Sequence, residues 1–254
     1  MKQIGGVRKL MNFKGGMISD SGGFQLMSLV KKNPGLSKIT EDGIIFRLSQ
    51  KTTIKLTPED SVRFQLAMGT DMVVVLDDFT PPGADERVAR ESVERTYRWA
   101  ERSKKEFERI CDETELSKDK RPYLLGVIHG DRNIKLRRES AQGLVSLGFD
   151  GLGYGGWPVM ENGEFDYEIA AVLAEETPKD YFLYGLGVGK PEDIVGCVRL
   201  GFNIFDCVLP TRDARHERLY VFNNETGFDY HYYCPKDKDL ISNDPVSEVC
   251  DCLL

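Results

Sequence analysis

From residue 71 onward the chain repeats one pattern: a short apolar run, a polar or glycine stop, then a stretch with helical spacing. Residues 71–77 (Asp-Met-Val-Val-Val-Leu-Asp) form a continuous apolar run between acids, as expected of a strand covered on both faces. It stops at Asp77-Asp78 and Pro81-Pro82-Gly83, and a long helix is predicted from about Ala84 to Ile110. The next strand is 123–128, ending at His129-Gly130, followed by a helix over 133–147 with Leu136, Leu144 and Leu147 on one face. Strand 151–154 ends in Gly155-Gly156, and helix 167–176 leads to strand 181–186, which ends in Gly187-Val188-Gly189. Helix 191–200 and strand 202–208, with Asp206 near its end, complete the series.

The same construction occurs earlier. Met17-Ile18-Ser19 runs into Asp20, and Ser21-Gly22-Gly23 stops the strand. Thr57-Pro58-Glu59-Asp60 predicts a helix start, with Thr as cap, Pro at the first helical position and acids in the first turn; Gly69 ends it. Between them, residues 44–46 and 52–54 flank a polar turn and suggest an excursion hairpin. Residues 31–38 read as a loop, and 1–16 as an apolar and basic lead-in. Six strand–helix alternations imply a parallel sheet. In such sheets reactive groups gather outside the carboxyl ends of the strands, and Asp20, Asp77, His129, Gly155, Gly156, Gly187 and Asp206 all fall there.

At 254 residues the chain can bury a large core, and one α/β barrel would use all of it. A formal charge of −7 supplies no global basic field, so a nucleic-acid partner must be held by local arginine and lysine clusters. Six scattered cysteines, with no signal-peptide pattern and no long apolar run, point to a reduced, cytoplasmic protein with no membrane association.

Two carboxylates facing each other at such a rim suit glycosidic chemistry, one attacking an anomeric carbon while the other handles protons. The apolar segment around Asp206 predicts a poorly solvated carboxylate. Asp77 can accept from the N–H edge of a purine, and the Gly155 and Gly156 N–H groups can donate to a carbonyl, which together describe a pocket for guanine. Gly185–Lys190 has the glycines of a phosphate loop, but Pro191 stands where Ser or Thr is needed, so it reads as a tightly packed strand end. Arg212, Arg215 and Arg218, spaced by three, suit contact with nucleic-acid phosphates; a surface patch paired with Asp213 and Glu217 is the alternative.

Taken together, Asp20-Ser21-Gly22-Gly23-Phe24-Gln25 and Phe205-Asp206-Cys207-Val208-Leu209-Pro210-Thr211-Arg212 resemble the signatures of the tRNA-guanine transglycosylase (queuine tRNA-ribosyltransferase) family. The resemblance runs nearly the whole length. It implies a TIM-type (β/α)₈ barrel and exchange of guanine at the tRNA wobble position for a 7-deazaguanine base, in queuosine-type modification. It also implies Asp206 as nucleophile and Asp20 as general acid/base. A base pocket of Ser21, Phe24, Asp77, His129, Gly155, Gly156, Trp157, Leu186 and Gly187 follows in the same way. Arg212 and Arg215 would approach the tRNA anticodon loop. A homodimer or a heterodimer is compatible with the resemblance.

Departures from the family pattern accompany it. His129 stands where the family usually has Gln, so its donor to the base depends on the tautomer. Phe79 replaces a Cys common in the bacterial branch, and Trp157 replaces a small aliphatic residue. The chain is expected to lack the first two barrel strands, with a partial barrel over 1–222 and the start of a truncated zinc subdomain over 223–254. Cys250 and Cys252 resemble the first ligands of the family's structural zinc motif, an incomplete set in this chain. The rival assignments are a non-catalytic partner subunit of a transglycosylase and a glycoside hydrolase using Asp20 and Asp206.

Overall fold

The computed structural model describes residues 6–26, 37–47, 49, 52–223 and 229–234. Six short strands, β1 (Ile18–Ser19), β5 (Met72–Val74), β6 (Tyr123–Ile128), β7 (Gly151–Tyr154), β8 (Phe182–Gly185) and β9 (Ile204–Phe205), form one parallel sheet in that spatial order. The registers are parallel throughout, for example Ile18 opposite Met72 and Leu125 opposite Gly151. The sheet curls as part of a TIM-type barrel, as expected. Its helices are α2 (Pro58–Met68), α3 (Glu86–Glu113), α4 (Ile134–Leu147), α5 (Tyr167–Glu176) and α6 (Pro191–Leu200), after a short α1 (Val7–Met11). Among the described residues no helix is long and apolar enough to cross a membrane.

Strand alternation divides the core. Val73, Val75, Leu124, Leu152 and Leu183 pack with Ala100, Phe107, Leu144, Ile169 and Leu173 of the helices. Met72, Val74, Leu125, Val127 and Tyr184 form a second cluster on the concave face. The helices begin where side chains satisfy their first N–H groups: Thr57 accepts from Asp60, Asp85 from Val88, Asn133 from Leu136 and Asp166 from Ile169. Gly69 and Gly148 end α2 and α4 at φ 78° and 76°, left-handed conformations natural to glycine.

Three expectations change. Strands β1, β5 and β9 of the sheet are two or three residues long, because the chain leaves the ladder before the acids that end it. Ser37 and Lys38 belong to a strand rather than a loop: β2 (Ser37–Thr40), β3 (Gly43–Arg47) and β4 (Thr53–Leu56) make an antiparallel sheet of three, the predicted hairpin with one strand added. The lead-in contains α1, whose Arg8 binds Asp71. Beyond the sheet, α7 (Leu209–Arg215) is followed by the hairpin of β10 (Leu219–Phe222) and β11 (Tyr230–Tyr233), which straddles residue 222.

Candidate active site

Asp20 is held by a bolt the sequence did not advertise. Gln65, buried on α2, accepts from Ser19 Oγ at 2.8 Å and from Val74 N at 3.1 Å, and donates to Val74 O at 2.8 Å. One amide thus joins β1, α2 and β5, fixing the residue after Ser19 beside the end of β5. Asp20 Oδ1 accepts from Ser21 N at 2.8 Å, and Oδ2 from Gln25 Nε2 at 3.2 Å. Ser21 Oγ in turn accepts from Gly23 N at 3.2 Å, where residues 23–26 turn helical.

Asp20 keeps an exposed face toward the mouth, yet its carboxyl titrates above the ordinary aspartate range. Displacement of water by the surrounding protein is the largest cause, and the Asp77 carboxylate adds to it; Asp206 contributes less in the same direction. The hydrogen bonds from Gln25 and Ser21 oppose the shift. Three carboxylates from three strand ends therefore share one electrostatic neighbourhood, as their positions in the sequence predict.

Asp77 is half-buried, and its Oδ2 lies 2.6 Å from His129 Nε2. The His129 ring is fully buried, and its Nδ1 has no partner among the described residues. Phe24 meets Phe79 edge-on at 5.2 Å between ring centroids, and Phe79 meets His129 at 6.3 Å. This aromatic chain walls the carboxylates, with Phe24 exposed at its outer end. The next residue of the pair, Asp78, is buried and is held by Arg95 of α3.

Asp206 departs from the apolar enclosure its neighbours in sequence suggested. It is exposed, because β9 ends at Phe205 and leaves the next residue on the rim. Its Oδ1 accepts from Tyr184 Oη at 2.9 Å and Gly187 N at 3.1 Å. Tyr184 is buried, and its hydroxyl is pushed well above the usual tyrosine range by burial first and then by Asp206. The sequence carried no sign of this role, since a tyrosine in a strand is ordinarily core.

The double glycine divides its duties. Gly155 N–H is spent on Ile128 O at 3.0 Å, so it does not face a ligand as expected. A Cβ there would meet Ile128 O at 2.6 Å and His129 Nε2 at 2.8 Å, which explains the glycine. Gly156, at φ 90°, has an N–H without an acceptor among the described residues. Trp157 follows it, 54% exposed, at the mouth. Leu186 packs with the concave cluster, and Gly187 is exposed. Gly189 is closely approached by Cys207, in keeping with a packed strand end rather than a phosphate loop.

Helix α7 starts three residues after Asp206 and carries Arg212 and Arg215, both exposed. Arg212 lies 3.9 Å from Asp213, whereas Arg215 has no ion pair among the described residues. Arg218 instead stands over the Tyr232 ring at 5.9 Å. Cys250 and Cys252 lie outside the described residues, and among those described no group of three or more His, Cys, Asp or Glu side chains is placed to hold a metal.

The family model for queuine tRNA-ribosyltransferase matches residues 1–254. The chain belongs to this family. A queuine tRNA-ribosyltransferase of Shewanella sp. (strain ANA-3) is 40% identical over 222 residues, covering 87% of this chain and 56% of the relative. Relatives of the same name from Symbiobacterium thermophilum and Histophilus somni are 37% and 38% identical over 253 residues, 99% of this chain and 58% and 62% of theirs. The chain therefore spans little more than half the length of these curated relatives. Family membership accounts for the two long motifs, at Asp20 and Asp206, which follow the two edge strands of the sheet, β1 and β9.

Proposed function

We propose that this chain carries the catalytic rim of a tRNA-guanine transglycosylase, exchanging guanine at the anticodon wobble position for a 7-deazaguanine base. The observation that carries the proposal is the grouping of Asp20, Asp77 and Asp206 around one mouth, with the Gly156 N–H and the α7 arginines beside it.

In this proposal Asp206 attacks ribose C1′. A C1′–O bond forms as the C1′–N9 bond breaks, and the electron pair leaves with guanine. Asp20 supplies the proton that the departing base needs; a carboxyl that stays protonated above the ordinary aspartate range suits that task. The incoming base then gives its N9 proton to Asp20, attacks C1′ and returns Asp206 as carboxylate. The intermediate keeps the glycosidic free energy, so no energy cofactor is required. Tyr184 and Gly187 hold one Asp206 oxygen, which leaves the other for attack.

Guanine presents N1–H and N2–H to Asp77 and its 6-carbonyl to Gly156 N–H. His129 acts through Asp77, whose orientation it holds. Ser21 shapes the Asp20 turn, and Phe24, Trp157, Leu186 and Gly187 line the base, with Gly155 giving His129 room. Arg212 and Arg215 meet phosphates of the tRNA anticodon loop. The same proposal includes a cytoplasmic setting, a catalytic unit up to residue 222, and a zinc subdomain begun after it by Cys250 and Cys252. No step above passes through zinc. Incorporation of labelled guanine into tRNA tests the proposal, since a glycoside hydrolase or a non-catalytic subunit gives none.

A further inference from the structure

Arg137, on α4, is sealed into the molecule with 1% of its surface exposed. Among the described residues no carboxylate pairs with it. Its Nη1 donates to Ile128 O at 2.7 Å and Gly155 O at 2.8 Å, and its Nε to Asp131 O at 2.8 Å. The guanidinium lies 4.9 Å from the centroid of the Tyr154 ring. A full charge buried against neutral dipoles is a costly way to fill space, and an apolar side chain of similar size would do so without the desolvation penalty. The three carbonyls it takes explain the charge better. Ile128 immediately precedes His129, and Gly155 immediately precedes Gly156.

The Gly155 carbonyl and the Gly156 N–H belong to one planar trans peptide, so they point in opposite directions. With the carbonyl drawn inward to Arg137, the N–H is turned away from the core, where no described residue accepts from it. Hydrogen bonding of the carbonyl to a cation also polarises the peptide and makes that N–H a stronger donor. Space enforces the arrangement: a Cβ on Gly156 would lie 3.3 Å from Arg137 Nη2, at a φ of 90° that side chains rarely adopt. The Ile128 carbonyl accepts from Gly155 N as well as from Arg137, so the ends of β6 and β7 are tied through one group.

We propose that Arg137 is a positioning residue that aims and polarises the Gly156 N–H toward the 6-carbonyl of a purine and fixes its spacing from the Asp77–His129 pair. This rests on the base pocket proposed above. The test compares binding of guanine and of 2-aminopurine, which lacks the 6-carbonyl and with it the N1–H, to the parent chain, Arg137→Met and Arg137→Lys, alongside thermal unfolding without ligand. The N1–H difference is common to all three chains and cancels when their ratios are compared. Arg137→Met is expected to lose roughly tenfold in guanine affinity with little change for 2-aminopurine, so the ratio between the two falls by that factor. Arg137→Lys keeps the charge without the fork that reaches three carbonyls, and its ratio is expected to fall between the two; if the Met variant does not fold, this variant decides. Equal weakening of both ligands, with the ratio kept, overturns the role of Arg137 and leaves the pocket standing. A parent chain that does not distinguish guanine from 2-aminopurine overturns the pocket and this proposal together.

Discussion

His129 Nε2 meets Asp77 Oδ2 at 2.6 Å, and the imidazole is buried to completion behind it. In the neutral ring that nitrogen carries the proton and donates to Asp77. The sequence suggested a histidine turned toward the base; the geometry makes it the support of Asp77, the residue proposed to read the base. Replacing it by Phe, which fills the space without a donor, is expected to lower guanine affinity roughly tenfold, while His129→Gln keeps a donor and stays within about threefold. Calorimetric titration with guanine checks both, and equal losses in the two variants would put His129 outside the site.

Tyr184 is the least expected member of the rim. Tyr184→Phe removes the donor to Asp206 but keeps the ring that packs with Met72, Val74 and Leu125. Gly187 N–H still holds the same oxygen, so the exchange rate is expected to fall roughly five- to tenfold rather than to zero. Single-turnover base exchange measures it, and a rate unchanged from the parent contradicts the arrangement.

How much of this the sequence foretold varied with the kind of interaction involved. Helices α5 and α6 and strands β6 and β7 have the predicted bounds, because caps, apolar runs and glycine stops are written locally. Strand β9 is only Ile204–Phe205, because its length depends on pairing with β8, which local composition does not encode. Asp20, Asp77 and Asp206 were legible as acids at strand ends. Gln65, Tyr184 and Arg137 were not, since each acts through a long-range contact with a backbone or a carboxylate and sits in an ordinary core position.

Glu106 on α3 takes hydrogen bonds from Arg109 on its own helix and from Arg63 on α2, which together hold its carboxyl down at about 2. A lowered carboxylate stabilises the fold above its unfolded value of 4.5, and the contribution fades as pH falls from there toward 2. Both guanidiniums are about half-exposed and screened, so Glu106→Gln is expected to cost about 1 to 2 kcal/mol at neutral pH. Denaturant unfolding across the acid range checks the sign: the gap between parent and variant should narrow below 4.5. A gap that widens there contradicts the pairing.

Arg215 is an exposed guanidinium without an ion pair among the described residues, close after Asp206 in the chain. Arg215→Ala is expected to weaken binding of an anticodon stem-loop and to reduce the slope of log affinity against log salt by about 1, the signature of one lost phosphate contact. Filter binding at several salt concentrations measures it; an unchanged slope removes Arg215 from the RNA surface.

In the proposed mechanism Asp206 bonds to ribose C1′. Incubation of the chain with substrate tRNA and a trapping base, followed by denaturing electrophoresis, should show a protein–RNA adduct that withstands denaturation. Asp206→Asn keeps the hydrogen bonds' geometry but lacks the nucleophilic carboxylate, so its lane should hold no adduct. An adduct of equal yield in Asp206→Asn would contradict the account.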